Sequence, residues 1–345
     1  MNVSFILAVY QIEQYIEACL ESVLPCLRDG DELIIVNDGS NDRSRALAAA
    51  LIGACPNARI VDKPNGGLSS ARNAGLRVAT CEHVLFLDGD DALIPEAIAQ
   101  ARETLDKEEP DILVTDYLEW LDDGRGAKRP SRPRSHAQGQ LTAAPARHLK
   151  ETLDDCIPCV WTRFFRRNLF DALGEAPFPE WSMYDDLPTT PHLVARARTM
   201  FYLPLPTVLY RTRAGSLTQI RTRRSCTDMV KAAIRAHDAT TAFPGDLAVQ
   251  RAGMAFLARK WVDAVKQSRQ VPDSGWSLHR EMLGLIAPLL LRARQEQLQD
   301  LWQSARRDDR KVRRHLKLAR QSRLLYTLIN TLVGWLKRLR ARQRQ

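Results

Sequence analysis

Three carboxylates fall within four residues in Phe86-Leu87-Asp88-Gly89-Asp90-Asp91, directly after the apolar run Val84–Phe86. Like charges at that spacing repel, so their position at the end of a buried run calls for compensating positive charge. A bound divalent cation is the common resolution. Carboxylate oxygens with room for phosphate oxygens suit Mg2+ or Mn2+. Such a cation would bridge the carboxylates to a diphosphate and act as a Lewis acid on a leaving group.

Three further apolar runs end in the same way. Ala8-Val9-Tyr10-Gln11 closes the run Val3–Val9, and Asn37-Asp38-Gly39-Ser40 follows Glu32–Val36. Lys63-Pro64-Asn65-Gly66-Gly67 follows Arg59–Val61 and leads into Ser69-Ser70-Ala71-Arg72-Asn73. Each cluster alone reads equally well as a turn or a helix cap. Four in succession at strand ends do not. The elements that position them alternate: strands at Val3–Val9, Glu32–Val36, Arg59–Val61, His83–Leu87 and Asp111–Tyr117, with helices at Ile12–Leu24, Asp42–Ile52, Leu68–Val78 and Pro95–Leu105. Alternation of this kind predicts βαβ crossovers and a mainly parallel sheet with helices on both faces. Ligands of such sheets bind at the carboxyl ends of the strands. The four clusters would then share one rim, the layout of a nucleotide site. No GxGxxG follows the first strand, which argues against a dinucleotide.

The 345 residues are 45% apolar and 26% charged, enough for a sizeable core. Seven scattered cysteines suit a reducing compartment, and the lone CxxC at Cys156–Cys159 has no second pair to complete a zinc site. Met1-Asn2-Val3-Ser4 lacks the basic start of a secretory signal, and no apolar run approaches the ~18 residues of a membrane span. The net charge of +9 belongs to the tail: Arg306–Gln345 holds 14 Lys/Arg against Asp308 and Asp309, +12, leaving −3 elsewhere. Asp122–Gln140 has no large apolar residue and reads as a long mobile loop or a boundary. Aromatics (Trp161, Phe164, Phe165, Trp181, Tyr184) concentrate between 160 and 185, and the chain reads as helical from Ser225.

The blocks AVY, VNDGSNDRS, NGGLSSARNAGL and FLDGDD, in this order over about the first 220 residues, resemble those of family 2 glycosyltransferases. The resemblance implies a GT-A fold followed by a helical C-terminal region. It also implies an inverting enzyme with a nucleotide-sugar donor, most often a UDP-sugar, and Mn2+ or Mg2+. Ala8, Val9 and Tyr10 would line the base pocket, with Lys63, Gly67 and Gly89 beside the nucleotide. Asp38 would meet the uracil edge and Arg72 the base or a nearby phosphate. Asp88 would face the ribose and the cation, and Asp90 would be the main cation ligand. Asp91 is either beside the cation or a helix cap. Tyr184-Asp185-Asp186-Leu187 matches the family's acidic pair, which makes Asp186 the general base and Asp185 its neighbour. The pair can equally open the helix that follows, where negative charge is favourable. In Tyr210–Thr218, Arg211 or Arg213 and Ser216 would neutralise the leaving diphosphate. His192 reads as helix surface or packing. The chain has Ala8-Val9-Tyr10-Gln11 where the family often has Pro-Val-Tyr-Asn, and Asp-Asp where it often has Glu-Asp.

The expected organisation is a nucleotide-binding half at 1–118, an acceptor-side half at 119–220, a helical region at 221–305 and a basic amphipathic tail at 306–345. Leu324, Leu325, Leu328, Leu332, Trp335, Leu336 and Leu339 follow helical spacing, and Lys/Arg flank them. That fits an anchor on an anionic membrane surface, or else a helix packed on the body. The apolar face argues against nucleic acid as the partner. The expected location is cytoplasmic, at the inner face of the membrane, with a glycan or lipid-linked glycan acceptor such as a lipopolysaccharide core. A nucleotidyltransferase, or a non-catalytic nucleotide-binding scaffold, remains an alternative from the residues alone.

Overall fold

The computed structural model describes residues 1–53, 55–121, 128–131, 134, 136, 138–180, 182–213, 216, 221–272 and 275–292. The tail and Trp181 lie outside these residues.

The chain begins with β1 (Val3–Val9), α1 (Ile16–Val23), β2 (Glu32–Asn37), α2 (Ser44–Ile52), β3 (Ala58–Asp62), α3 (Leu68–Val78) and β4 (His83–Asp88). β1 and β2 are continuous apolar or near-apolar runs because both faces are covered; Ile6, Leu7, Leu33, Ile34, Ile35 and Val36 are all at or below 1% exposure. β1 pairs in parallel with β2 on one side and β4 on the other, while β2 pairs in parallel with β3. The resulting order β3-β2-β1-β4 reverses direction between β1 and β4. That reversal opens a crevice at the carboxyl ends of these two strands. The register sets Ala8 opposite Asp88, Val9 opposite Asn37, and Asn37 opposite Asp62. The four polar clusters therefore do share one rim.

Next come β5 (Ala92–Leu93), α4 (Pro95–Glu108), β6 (Ile112–Leu121), β7 (Lys128–Pro130), β8 (Leu141–Thr142), α5 (Pro145–Asp155) and β9 (Arg163–Arg166). β9 enters between β4 and β6, antiparallel to both. After α6 (Asp186–Arg196), β10 (Met200–Thr212) runs parallel to β6, with β5 and β8 antiparallel to it. One sheet thus passes through both expected halves, and β6 itself crosses residue 118. α7 (Arg223–Asp238), α8 (Leu247–Ser268) and α9 (Gly275–Arg292) follow; α7 packs on α6 and α8, and α8 packs on α5. No helix among the described residues is long and apolar enough to cross a membrane.

Two details differ from the sequence expectation. α1 starts at Ile16, not Ile12, because Gln11 takes a left-handed φ of 50° and the Ile12 N–H goes to Ser44 Oγ. The polar stretch 122–140 is not all surface loop. β7 folds back on β6, and Arg134 and His136 are buried because each has partners: Arg134 reaches Asp116 and Thr162, and His136 Nδ1 meets Glu151 at 2.9 Å.

At the amino end of the sheet, Arg102 of α4 forks onto Asp31 at 2.8 and 3.0 Å and onto the Met1 carbonyl at 2.7 Å, with both side chains at 2% exposure or less. Removing one partner leaves a buried, uncompensated charge. Arg102→Met is expected to cost about 3–5 kcal/mol in urea unfolding, whereas Arg45→Met, which breaks the half-exposed pair with Asp62, should cost at most about 1 kcal/mol.

Candidate active site

The carboxyl end of β1 is fixed by two backbone bonds: Asp38 N–H donates to Val9 O at 2.9 Å and Gly89 N–H to Ala8 O at 3.1 Å. Gly89 has no space for a side chain, since a Cβ there would lie 2.3 Å from Ile12 Cδ1 and 2.9 Å from Ala8 O. Only glycine lets the Asp88–Asp91 turn lie this close to β1. Tyr10 stands at the rim, 45% exposed.

On the β2 side, the buried Asp38 carboxylate accepts from Lys63 Nζ at 2.5 Å, Gly66 N–H at 2.9 Å and Gly67 N–H at 2.8 Å. It ties the Lys63–Gly67 loop to the sheet and sets the start of α3, where Gly67 has a φ of 84°. Lys63 also donates to its neighbour's carbonyl on Pro64. Asp38, Lys63 and Gly67, predicted separately, form one hydrogen-bonded unit.

Arg72 lies in the second turn of α3 at 2% exposure. Its Nη1 donates to Asp185 Oδ2 and its Nη2 to Asp88 Oδ1, both at 2.6 Å. Burial works against its charge, yet Asp185, Asp88 and Asp186 outweigh burial and raise its pKa. In this structure Arg72 meets carboxylates, where the resemblance implies the base or a phosphate. Its fork is taken by two carboxylates, and it lies beneath the rim, joining the end of β4 to the start of α6. The next residue, Asn73, holds the Phe178 backbone through both its amide nitrogen (2.8 Å) and its oxygen (3.1 Å). That clamp fixes the approach to Asp185.

Asp90 accepts from Arg213 Nε at 2.8 Å, and its backbone carbonyl accepts from Arg211 Nε at 2.8 Å. Asp91 is buried, accepts from the Arg211 N–H at 2.7 Å, and has no hydrogen-bond partner on Oδ2. Arg211 is stacked on Trp120 at 3.7 Å, and both Arg211 and Arg213 lie 5.0 Å from the Tyr15 ring centroid. Trp120 and Tyr15 were not predicted. Trp120 faces Arg211 through the β6–β10 register, which is invisible until the strand pairing is known. Ser216 N–H reaches the Arg213 carbonyl at 3.4 Å.

Four acids of this array are held above the ordinary carboxylate range. Burial raises Asp90, with help from Asp88 and against Arg213; burial raises Asp91, with help from Asp90 and Asp88. Asp185 is raised by burial and Asp88 against the pull of Arg72. Asp186, the first residue of α6, is pushed up to about 7 by burial and by Asp185. Thr189 Oγ1 donates to the Asp185 carbonyl at 2.8 Å, which fixes the first turn of α6. His192 is a packing residue, with Nε2 2.8 Å from the Arg235 carbonyl on α7.

Hard carboxylate oxygens, an unpartnered buried oxygen on Asp91, and a guanidinium already drawn to Asp90 fit a divalent cation. Among the described residues no three His, Cys, Asp or Glu side chains converge into a closed cage. The chain would supply Asp90 and Asp88, and the other positions would go to ligand oxygens and water, as suits Mg2+ or Mn2+.

A model of glycosyl transferase family 2 matches residues 4–174. An uncharacterized glycosyltransferase, EpsJ, of Bacillus subtilis (strain 168) is 29% identical over 220 residues, which span 63% of this chain and 63% of that protein. Among solved structures, Staphylococcus aureus TarS 1–349 in complex with UDP-GlcNAc superposes with a TM-score of 0.63 at 20% identity, covering 93% of this chain and 88% of that one. The mannosyltransferase PcManGT from Pyrobaculum calidifontis, in complex with GDP-Man and Mn2+, gives 0.52 at 18% identity, covering 88% and 84%. These two likenesses share the fold: a mixed sheet ringed by helices, with a helical C-terminal region.

The raised pKa of Asp186 has a sign that thermal unfolding can read. A carboxyl whose folded pKa lies above its unfolded value favours the fold below about 4, and that contribution is lost as pH rises through about 7. Asp186→Asn should therefore leave Tm near wild type below pH 4 and raise it progressively up to pH 7–8. An equal Tm for the two proteins across that range would contradict the assignment.

Proposed function

From the premise that residues 4–174 belong to glycosyl transferase family 2, we propose that this protein is a metal-dependent, inverting glycosyltransferase. It moves a sugar from a nucleotide-sugar, a UDP-sugar in this reading, to a hydroxyl of a glycan acceptor. The observation that carries the reading is that Arg72 bridges Asp88 at the end of β4 to Asp185 at the start of α6, which brings the pair Asp88 and Asp90 and the pair Asp185 and Asp186 to one site at the β1–β4 crevice. The complexes of TarS with UDP-GlcNAc and with UDP support the donor class, and that of PcManGT with GDP-Man and Mn2+ supports a divalent cation.

In this reading Ala8, Val9 and Tyr10 line the base pocket opposite the Asp38–Lys63–Gly67 unit. Asp88 and Gly89 face the ribose. Asp90 and Asp88 would hold Mn2+ or Mg2+, which would supply Lewis acidity toward the diphosphate. Asp186 accepts the proton of the acceptor hydroxyl as that oxygen bonds to the anomeric carbon. The bond from that carbon to the diphosphate oxygen breaks on the opposite side, which inverts the centre. Arg211, Arg213 and Ser216 stabilise the negative charge that remains on the departing nucleoside diphosphate. Arg72 touches none of the reacting atoms and positions Asp88 and Asp185. The acceptor is a glycan, lipid-linked in this reading, and residues 306–345 hold the enzyme against an anionic membrane surface at the inner face of the cytoplasmic membrane.

Three measurements test these statements. Thermal unfolding with UDP, GDP, CDP or ADP, with and without Mn2+, should show a shift for UDP that requires Mn2+ and vanishes in Asp90→Ala. Ligand at ~100 times its dissociation constant contributes about 2.7 kcal/mol, a readily measured shift. The rate should rise with pH through about 7 as Asp186 ionises, and Asp186→Asn should lower kcat by about 10²–10⁴ and remove that limb. In flotation with anionic liposomes, the full chain should rise with the vesicles and a chain ending near residue 305 should not; equal flotation would refute the membrane role.

A further inference from the structure

The arginines beside the array differ in how firmly they are held. Asp88 and Asp185 share Arg72, which is 2% exposed and locked between them. Arg211 is anchored on backbone, through the Asp90 carbonyl, and sandwiched by aromatic rings. Arg213 is different. It stands one residue beyond β10, its side chain is 22% exposed, and its Nε–H points at Asp90 Oδ2, an oxygen of the expected cation ligand. The same guanidinium lies over the face of Tyr15, 5.0 Å from the ring centroid.

We propose that Arg213 is a tethered counter-ion that holds the cation position at Asp90 and leaves it when a diphosphate arrives to accept its charge. Tyr15 is the positioning residue that sets where the guanidinium rests. The inference rests on the reading of Asp90 as a cation ligand. A divalent cation and the Arg213 N–H compete for the same carboxylate oxygen, and two cations that close repel. The cation alone must displace Arg213 with nothing to receive it. The cation with a nucleoside diphosphate provides new oxygens for that guanidinium, in the bidentate geometry arginine favours. Cation and diphosphate therefore bind with positive coupling, and by reciprocity each raises the affinity for the other equally. The device also keeps free metal from occupying the site ahead of the donor.

The test is Mn2+ binding to the full chain, followed by the EPR signal of free Mn2+, with and without saturating UDP. It is run on wild type, Arg213→Gln and Tyr15→Leu. In wild type, UDP should tighten Mn2+ binding by about tenfold or more, within the usual range of coupling factors. In Arg213→Gln, Mn2+ alone should bind several-fold tighter than in wild type, and the gain from UDP should shrink. Tyr15→Leu, which leaves both charges in place, should move both quantities the same way by less. If Mn2+ alone binds Arg213→Gln no better than wild type, while UDP still tightens it in wild type, the tether is wrong and the functional reading survives. If Mn2+ and UDP do not bind wild type together at all, both fall.

Discussion

One buried guanidinium holds this site together. Arg72 sits with a carboxylate on each arm, Asp88 from the sheet and Asp185 from the start of α6, and nothing else described links those two elements so directly. Burying a carboxylate is costly unless it is paired, and here two acids share a single cation. The deficit is visible in the neighbours. Asp90, Asp91, Asp185 and Asp186 all retain protons more readily than a free carboxyl does. The arginine at the opposite rim shows what a balanced pair looks like. Arg102 sets both arms of its fork on one acid, Asp31, with Nη2 also on the Met1 carbonyl beside the start of β1. One pair closes a structure; the other leaves net negative charge at the mouth of a crevice.

That imbalance also explains how one array of like residues can hold different roles. Asp38 accepts from Lys63 and two backbone N–H groups, so it fastens the loop before α3. Asp90 is held by one partly exposed arginine, so it can exchange partners. Asp186, pushed toward neutral pH, can take up and return a proton. The chemistry of the side chain is the same in all three. Burial and the identity of the partner decide what each one can do.

Much of this was legible in the sequence because the first half of the fold is built from local signals. β1 and α3 begin and end at the residues their apolar patterns mark, and the polar clusters lie where parallel strands must end. What was hidden depends on pairing between distant segments. β9 is four residues long, too short to show a period, and its insertion between β4 and β6 has no local signature. Tyr15 and Trp120 look like ordinary aromatics until β10 brings two arginines to them. Arg134 and His136, in a stretch that reads as solvated loop, are buried because Asp116, Thr162 and Glu151 come from elsewhere to satisfy them. The Arg72 position stands out in the sequence, but only the fold shows that both its arms meet carboxylates.

The insertion of β9 also dictates the order in which the fold can be completed. While the chain is being synthesised, β1 to β4 emerge first and can assemble with their helices. The outer edge of β4 then waits for a strand encoded about 75 residues later, several seconds of synthesis at about 5–20 residues per second. An open, apolar strand edge is a template for unwanted pairing. Arg72 waits too, since Asp185 lies later still. In the nascent first half Arg72 can pair with Asp88, but its second arm has no partner and the sheet has a bare edge; residues 163–186 supply both the covering strand and Asp185. A ribosome that stalls before this stretch would leave a chaperone client, not a small working domain.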